Sequence, residues 1–368
     1  MFVGITNTPR DYAWGSTTAI SGLLGTPASG SPEAELWLGT HPGSPSALTD
    51  GSGDLRGLVG ELPFLLKVLA AAHPLSLQAH PTIEQAVVGF ARENALGIAV
   101  DAPNRNYRDE LHKPELILAL SDDFRALCGF RPVTETRASL ERLLQVSPGD
   151  AALSGLLARL STDDAIRPTF EWLVSRGEGV AELVAAVVQG ASRTDSPHFT
   201  LVTELHAEYP GDPGVVVSLL LNLVTLRRGE VLYLPAGNIH AYVEGLGIEL
   251  MAASDNVLRG GLTPKHVDVP ELLSVLDFTP VPVPYLAGIS QSPGLTVFRP
   301  PVPDFELLHV TGDTVLPLRA GAIALCTEGA FTLGSFELAR GESVYISADE
   351  APVVVTGQGE LFVATSRG

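Results

Sequence analysis

The chain has 368 residues, 45% of them hydrophobic, enough for a large core and two or three domains. A formal net charge of −19, from 23 basic and 42 acidic residues, excludes nucleic acid as the expected partner, since phosphate backbones need clustered Lys and Arg. Two cysteines, Cys128 and Cys326, cannot build a disulfide framework or a Cys-based metal site. No window has the apolar length of a membrane span, and Met1–Ser16 lacks a signal-peptide pattern, so a cytoplasmic protein with no membrane partner is the expectation. Lysine occurs only at 67, 113 and 265. In so acidic a chain, an anionic small molecule would need its few cations gathered at one place.

In chain order, residues 1–60 are rich in Gly, Ser, Thr and Pro and read as short strands and long loops. Pro63–Ala70 is a strand candidate. Leu75–His80 is a clearer one, placing Ser76, Gln78 and His80 on one face until Pro81 stops it. Thr82 with Gln85 forms a capping box that opens a helix through about Asn94, ended by Gly97. His112–Leu120 resumes strand character. From Thr134 the pattern becomes helical, with apolar residues three and four apart between polar breaks, and the apolar run Val215–Leu226 reads as a buried helix.

Val231–Leu234 is then a short buried strand, and Pro235–Asn238 a turn. The strand after it puts His240, Tyr242 and Glu244 on one face and Ile239, Ala241 and Val243 on the other. Gly245–Gly247 is expected to turn the chain into a third strand carrying Glu249 among apolar neighbours. A short helix follows Asp268, and the Pro-rich stretch Thr279–Pro284 is a linker signal.

An internal repeat organises the rest. Arg228-Gly229-Glu230-Val231-Leu232-Tyr233-Leu234-Pro235-Ala236 recurs 112 residues later as Arg340-Gly341-Glu342-Ser343-Val344-Tyr345-Ile346-Ser347-Ala348. Repeated β-units with the same turn predict a mainly β protein of two cupin-type jelly-roll barrels with an α-helical domain inserted. The expected division is a discontinuous metal-binding barrel over 1–132 and 227–278, a helical insertion over 133–226, and a C-terminal barrel over 279–368. No histidine follows His309, so the C-terminal barrel is expected to lack metal ligands.

The first barrel offers His80, Glu115 and His240 from separate strands. Two imidazoles and a carboxylate suit zinc or another first-row divalent ion with an open position. Gln78, an uncommon ligand type, reads on chemistry alone as a hydrogen-bonding partner behind such a site. The same two-His, one-carboxylate set also suits a cupin dioxygenase, and a non-catalytic sugar-phosphate sensor is the rival outside enzymes.

The runs Ala34–Pro42, Pro63–Leu69, Ser76–Pro81, His112–Leu116, Gly237–Tyr242, Ser254–Arg259 and Thr263–Lys265 together resemble the type I phosphomannose isomerases, in the family's order. The resemblance implies one zinc ion per chain held by Gln78, His80, Glu115 and His240. It implies that Arg259 serves catalysis over the site. It also places Lys67, Ser76, Lys113, Tyr242, Glu249, Asp255 and Lys265 in the substrate pocket. The implied reaction interconverts mannose 6-phosphate and fructose 6-phosphate through an enediol. For its base the candidates are Glu249, Lys113, Lys265 or a metal-bound water, and Lys67 with Ser76 is the expected phosphate anchor. The implied partner is the phosphosugar alone; a monomer is the expectation, with a homo-oligomer left open.

Overall fold

The structure, a computed structural model, describes residues 1–367. Two antiparallel sheets and a helical layer make up the molecule. Among the described residues, no helix is long and apolar enough to cross a membrane.

The nine-stranded sheet is built on the strand His240–Ala252, 13 residues long. Its first half pairs with Leu77–Ala79 and Phe124–Phe130, its second half with Phe64–Ala71 and Glu115–Ala119. The turn expected at Gly245–Gly247 does not form; the chain runs straight through with one register shift between Tyr242 and Glu244. Packing explains these glycines. A Cβ at Gly245 (φ +133°) would meet Phe124 at 2.6 Å, and one at Gly247 would meet Ile117 at 2.7 Å. They bend a strand against its neighbours rather than end it.

The helical segment begins at Val133–Val146 and continues through Gly214–Val217. The expected buried helix over Val215–Leu226 is largely a strand. After a short 3₁₀ turn at Ser218–Leu220, Leu221–Leu226 pairs with Phe124–Phe130. A continuous apolar run buries equally well either way, and the free edge of Phe124–Phe130 decides it.

The helices pack on the back of the site. Leu140, Leu156, Leu183 and Val202 share one core with Leu77, Ala79, Ile239, Ala241 and Val243. Strand alternation therefore turns Gln78, His240 and Tyr242 to the opposite face. On that face Leu69, Ile117, Phe124, Leu232 and Tyr242 form an apolar plug, with polar residues above it.

The ten-stranded sheet holds the strands from Ile289 to Thr365, and its interior cluster is almost wholly aliphatic: Leu308, Val310, Leu325's neighbours Ala324 and Cys326, Val344, Val355 and Val363. It packs on the nine-stranded sheet through Ile5, Leu307, Ile323 and Phe362 against Leu66, Val68, Leu116 and Leu250. Like Ala47–Leu48 beside it, Phe2–Thr6 does not join the nine-stranded sheet. It pairs with Ser343–Ile346 of the other sheet. The repeat is structural too. Glu230 Oε2 accepts from the Arg227 N–H at 2.8 Å, and Glu342 Oε2 from the Ala339 N–H at 2.8 Å, each beside a glycine of positive φ (85° and 88°).

Candidate metal centre and substrate pocket

His240 lies directly opposite Gln78 across the strands, and Gln78 opposite Arg259. A histidine, an amide and a guanidinium thus stand in one row. Glu115 enters from its own strand opposite Met251, and His80 sits one residue past Leu77–Ala79.

His80, Glu115 and His240 are buried, with ligand atoms all within 4.8 Å of one another. The His80 Nδ1–H donates to the Asn256 carbonyl at 2.7 Å and the His240 Nδ1–H to the Asn238 carbonyl at 3.1 Å. Those bonds fix the tautomer and leave both Nε2 atoms as bare acceptors. Each faces a Glu115 oxygen at 3.2 Å. Burial and then Lys113 push His80 down to about 4, so its imidazole is neutral at physiological pH. Although burial opposes it, Glu115 is held well below the ordinary carboxylate range, chiefly by Lys113. Both Nε2 atoms and Glu115 Oε2 lack a hydrogen-bond partner despite full burial. Lone pairs converging on an anion in a dry site call for a cation between them, so the residues fit a divalent metal.

A cavity of about 630 Å³ opens in front of this set. Every predicted residue except His80 and His240 lines it: Gln78, Glu115, Arg259, Lys113, Glu249, Lys265, Lys67, Ser76, Tyr242 and Asp255. The two histidines close it from behind.

Lys67 is opposite Glu249 in the sheet and binds it at 2.8 Å, with Glu35 at 3.5 Å. Burial pulls its ammonium down, but Glu249, Glu35 and Glu115 outweigh that and hold it above its ordinary value. It also sits over the Trp37 ring at 5.3 Å, and the Trp37 Nε1–H donates to Glu35 at 2.9 Å. Burial raises Glu249, and Lys67 only partly offsets it. Tyr242 is raised well above its ordinary value by burial, then by Glu249 and Glu115. Lys113 lies 3.0 Å from Glu115. Asp255 is raised by burial but drawn down overall by His41, whose Nε2 is 3.1 Å away.

Arg259 and Lys265 are both lowered, by burial first and then by cationic neighbours, Arg108 among them. Among the described residues none of these three side chains makes an ion pair, and all three line the cavity.

Sequence reasoning assigned no role to Glu35, Trp37, His41 or Arg108, all of which line this cavity. The alternation of Glu35 and Trp37 in the strand Glu35–Leu38 was a usable signal. For Arg108, on a loop without period, there was none.

A cupin-class β protein with a preformed divalent-cation site is what this fold and site define. The pattern for phosphomannose isomerase type I, catalytic domain, matches residues 2–61 and 53–133. The mannose-6-phosphate isomerase of Escherichia coli (strain K12) is 38% identical over 383 residues, covering 96% of this chain and 97% of that protein. The mannose-6-phosphate isomerase of Homo sapiens is 35% identical over 401 residues, covering 93% and 92%. A crystal structure of mannose 6-phosphate isomerase bound with zinc and yttrium superposes with a TM-score of 0.91 at 35% identity, over 100% of both chains. The chain belongs to the mannose-6-phosphate isomerase family, as the ordered motifs implied.

Proposed function

We propose that the chain is a zinc-dependent aldose–ketose isomerase interconverting mannose 6-phosphate and fructose 6-phosphate. The observation that carries this reading is the buried His80–Glu115–His240 set, with both Nε2 atoms and one Glu115 oxygen lacking a hydrogen-bond partner, beside a cavity lined with cations. Those three residues and Gln78 would hold zinc, which when bound would supply a Lewis acid for charge developing on the sugar oxygens.

The chain's own residues do the rest. Once the ring is open, a proton must leave the carbon beside the carbonyl, which needs a base that is ionised yet strongly basic. Glu249 suits this: burial raises its affinity for a proton, while Lys67 at 2.8 Å keeps it charged. That favours Glu249 over Lys113 and Lys265 among the candidates. Arg259, always protonated, holds positive potential where the enediolate oxygens form.

Charge accounting also bears on the phosphate. Lys67 is already matched by two carboxylates and has little field to spare for a dianion. Arg108 and Lys265 line the same cavity and make no ion pair, which supports moving the anchor from Lys67 and Ser76 to them. We extend the proposal to domain roles: residues 1–132 and 227–278 carry the chemistry, 133–226 buttress it, and 279–368 support it, except that Phe2–Thr6 and Ala47–Leu48 serve the ten-stranded sheet and Leu221–Leu226 the nine-stranded one. The aliphatic interior of the ten-stranded sheet favours that division.

The test is turnover. Purified protein stripped by a chelator should form no fructose 6-phosphate from mannose 6-phosphate, and zinc should restore it. Zinc-loaded protein that binds the sugar without turning it over would refute the isomerase reading.

A further inference from the structure

Among the described residues only two non-glycine residues have positive φ, Arg176 (52°) and Leu262 (53°), and both touch one carboxylate, Asp212. Asp212 lies in the turn between helices Pro197–Glu208 and Gly214–Val217, and is 8% exposed. Its Oδ1 accepts the Leu262 N–H at 3.0 Å and the Gly214 N–H at 2.7 Å, and its Oδ2 lies 3.5 Å from an Arg176 nitrogen. Left-handed backbone is disfavoured for a leucine and persists only where the surroundings impose it.

The fit around this contact is tight. A Cβ at Gly214 would come within 2.8 Å of both Asp212 Oδ1 and the Leu262 nitrogen. One at Gly261 (φ +130°) would lie 3.1 Å from the Gly214 Cα. Leu262 is itself 1% exposed and packed into the helical core. Directly upstream, the strand Leu258–Gly261 changes register between Arg259 and Gly261. Directly downstream, Thr263, Pro264 and Lys265 form a wall between the substrate cavity and a second cavity of about 360 Å³, which Asp212 and Arg176 line. The wall carrying Lys265 is therefore fastened from behind at Leu262, between it and Arg259.

We propose that Asp212 is a positioning residue for the isomerisation. By holding Leu262 in the left-handed well, it fixes how Arg259, three residues before, and Lys265, three residues after, enter the pocket. This rests on the roles given above to Arg259 and Lys265. The bland alternative is a turn cap whose only work is the Gly214 N–H. A cap would matter for stability and leave the chemistry alone.

The experiment is a cycle on zinc-loaded full-length protein with mannose 6-phosphate: Asp212→Ala, Asp212→Asn, Arg259→Ala and the Asp212→Ala/Arg259→Ala pair, with zinc content and thermal midpoint measured alongside. Misplacing a reacting group by about 1 Å costs roughly 100-fold. Asp212→Ala should lose kcat on that scale while keeping its zinc. Asp212→Asn, whose amide oxygen still accepts both N–H groups, should stay within about fivefold of the parent. In the Arg259→Ala background the Asp212→Ala loss in kcat should largely vanish.

An equal fold-loss in both backgrounds, or Asp212→Asn as damaged as Asp212→Ala, overturns the proposal. If Arg259→Ala itself keeps full kcat, the reading of Arg259 fails. Whether Asp212→Ala raises KM less in a Lys265→Met background than alone then decides the proposal. Should Asp212→Ala not fold, Gly214→Ala, which wedges the same contact, takes its place in the cycle with the same expectations.

Discussion

Replacing Lys67 by methionine removes the cation that pairs with two buried carboxylates, Glu249 and Glu35. The three side chains are 7%, 4% and 10% exposed for Lys67, Glu249 and Glu35, so water cannot take over the neutralisation. Breaking a buried pair by removing one partner costs about 3–5 kcal/mol, and the second carboxylate places Lys67→Met at the upper end. The penalty depends on pH with a definite sign. Glu249 already has a folded pKa above its ordinary 4.5, and losing Lys67 raises it further. A raised carboxyl contributes stability that is present below the unfolded pKa and lost as pH rises through the folded one. The deficit of Lys67→Met against the parent should therefore be small near about pH 5 and full by about pH 8, where about 1.4 kcal/mol accrues for each unit of raised pKa. Urea unfolding in chelator, so that metal release is common to all samples, measures this across the range. Adding Glu249→Gln should return at least about 1.5 kcal/mol near pH 8. A deficit that does not change with pH, or no recovery in the double variant, would refute the argument that Lys67 is held by these carboxylates.

The remaining predictions concern the site itself. His240→Ala removes one of the two bare Nε2 atoms, so the purified protein should lose tightly held zinc; full metal content after dialysis would take His240 out of the ligand set. Arg259→Ala should lower kcat and kcat/KM alike by roughly 10²–10³-fold, as expected for a group acting mainly in the transition state; a change confined to KM would assign it to uniform binding. Lys265→Met should raise KM for mannose 6-phosphate by roughly tenfold and weaken its dependence on salt concentration, while an unchanged salt response would move the phosphate elsewhere in the cavity.

Alternation was the readable part of this chain. It separated His240 and Tyr242 from Ile239, Ala241 and Val243, and the helical core confirms the second face. The capping box at Thr82 was also legible, because both of its hydrogen bonds are local; they form at 3.3 Å and 2.9 Å. What failed was what depends on a distant neighbour. Gly245 and Gly247 read as a turn because the rings and branches they make room for, Phe124 and Ile117, lie more than a hundred residues away. Leu221–Leu226 read as helix because the strand waiting for it could not be seen from its own composition. The ion-paired state of Lys67 required knowing that it faces Glu249, a register no local pattern encodes. The same holds for Asp212, whose spacing from Leu262 means nothing until the fold brings them together.

The pairing of Phe2–Thr6 with Ser343–Ile346 has a consequence for how the protein is made. Its partners are separated by roughly 340 residues, so at synthesis rates of about 5–20 residues per second the first strand leaves the ribosome tens of seconds before its mate exists. Ala47–Leu48 can cover one of its edges early, since Ile5 pairs with Leu48. The other edge stays open until the last strands emerge. Truncations near either end should therefore damage the same sheet, and a version of the chain cut within residues 279–284 would separate Phe2–Thr6 from its pairing strand Ser343–Ile346.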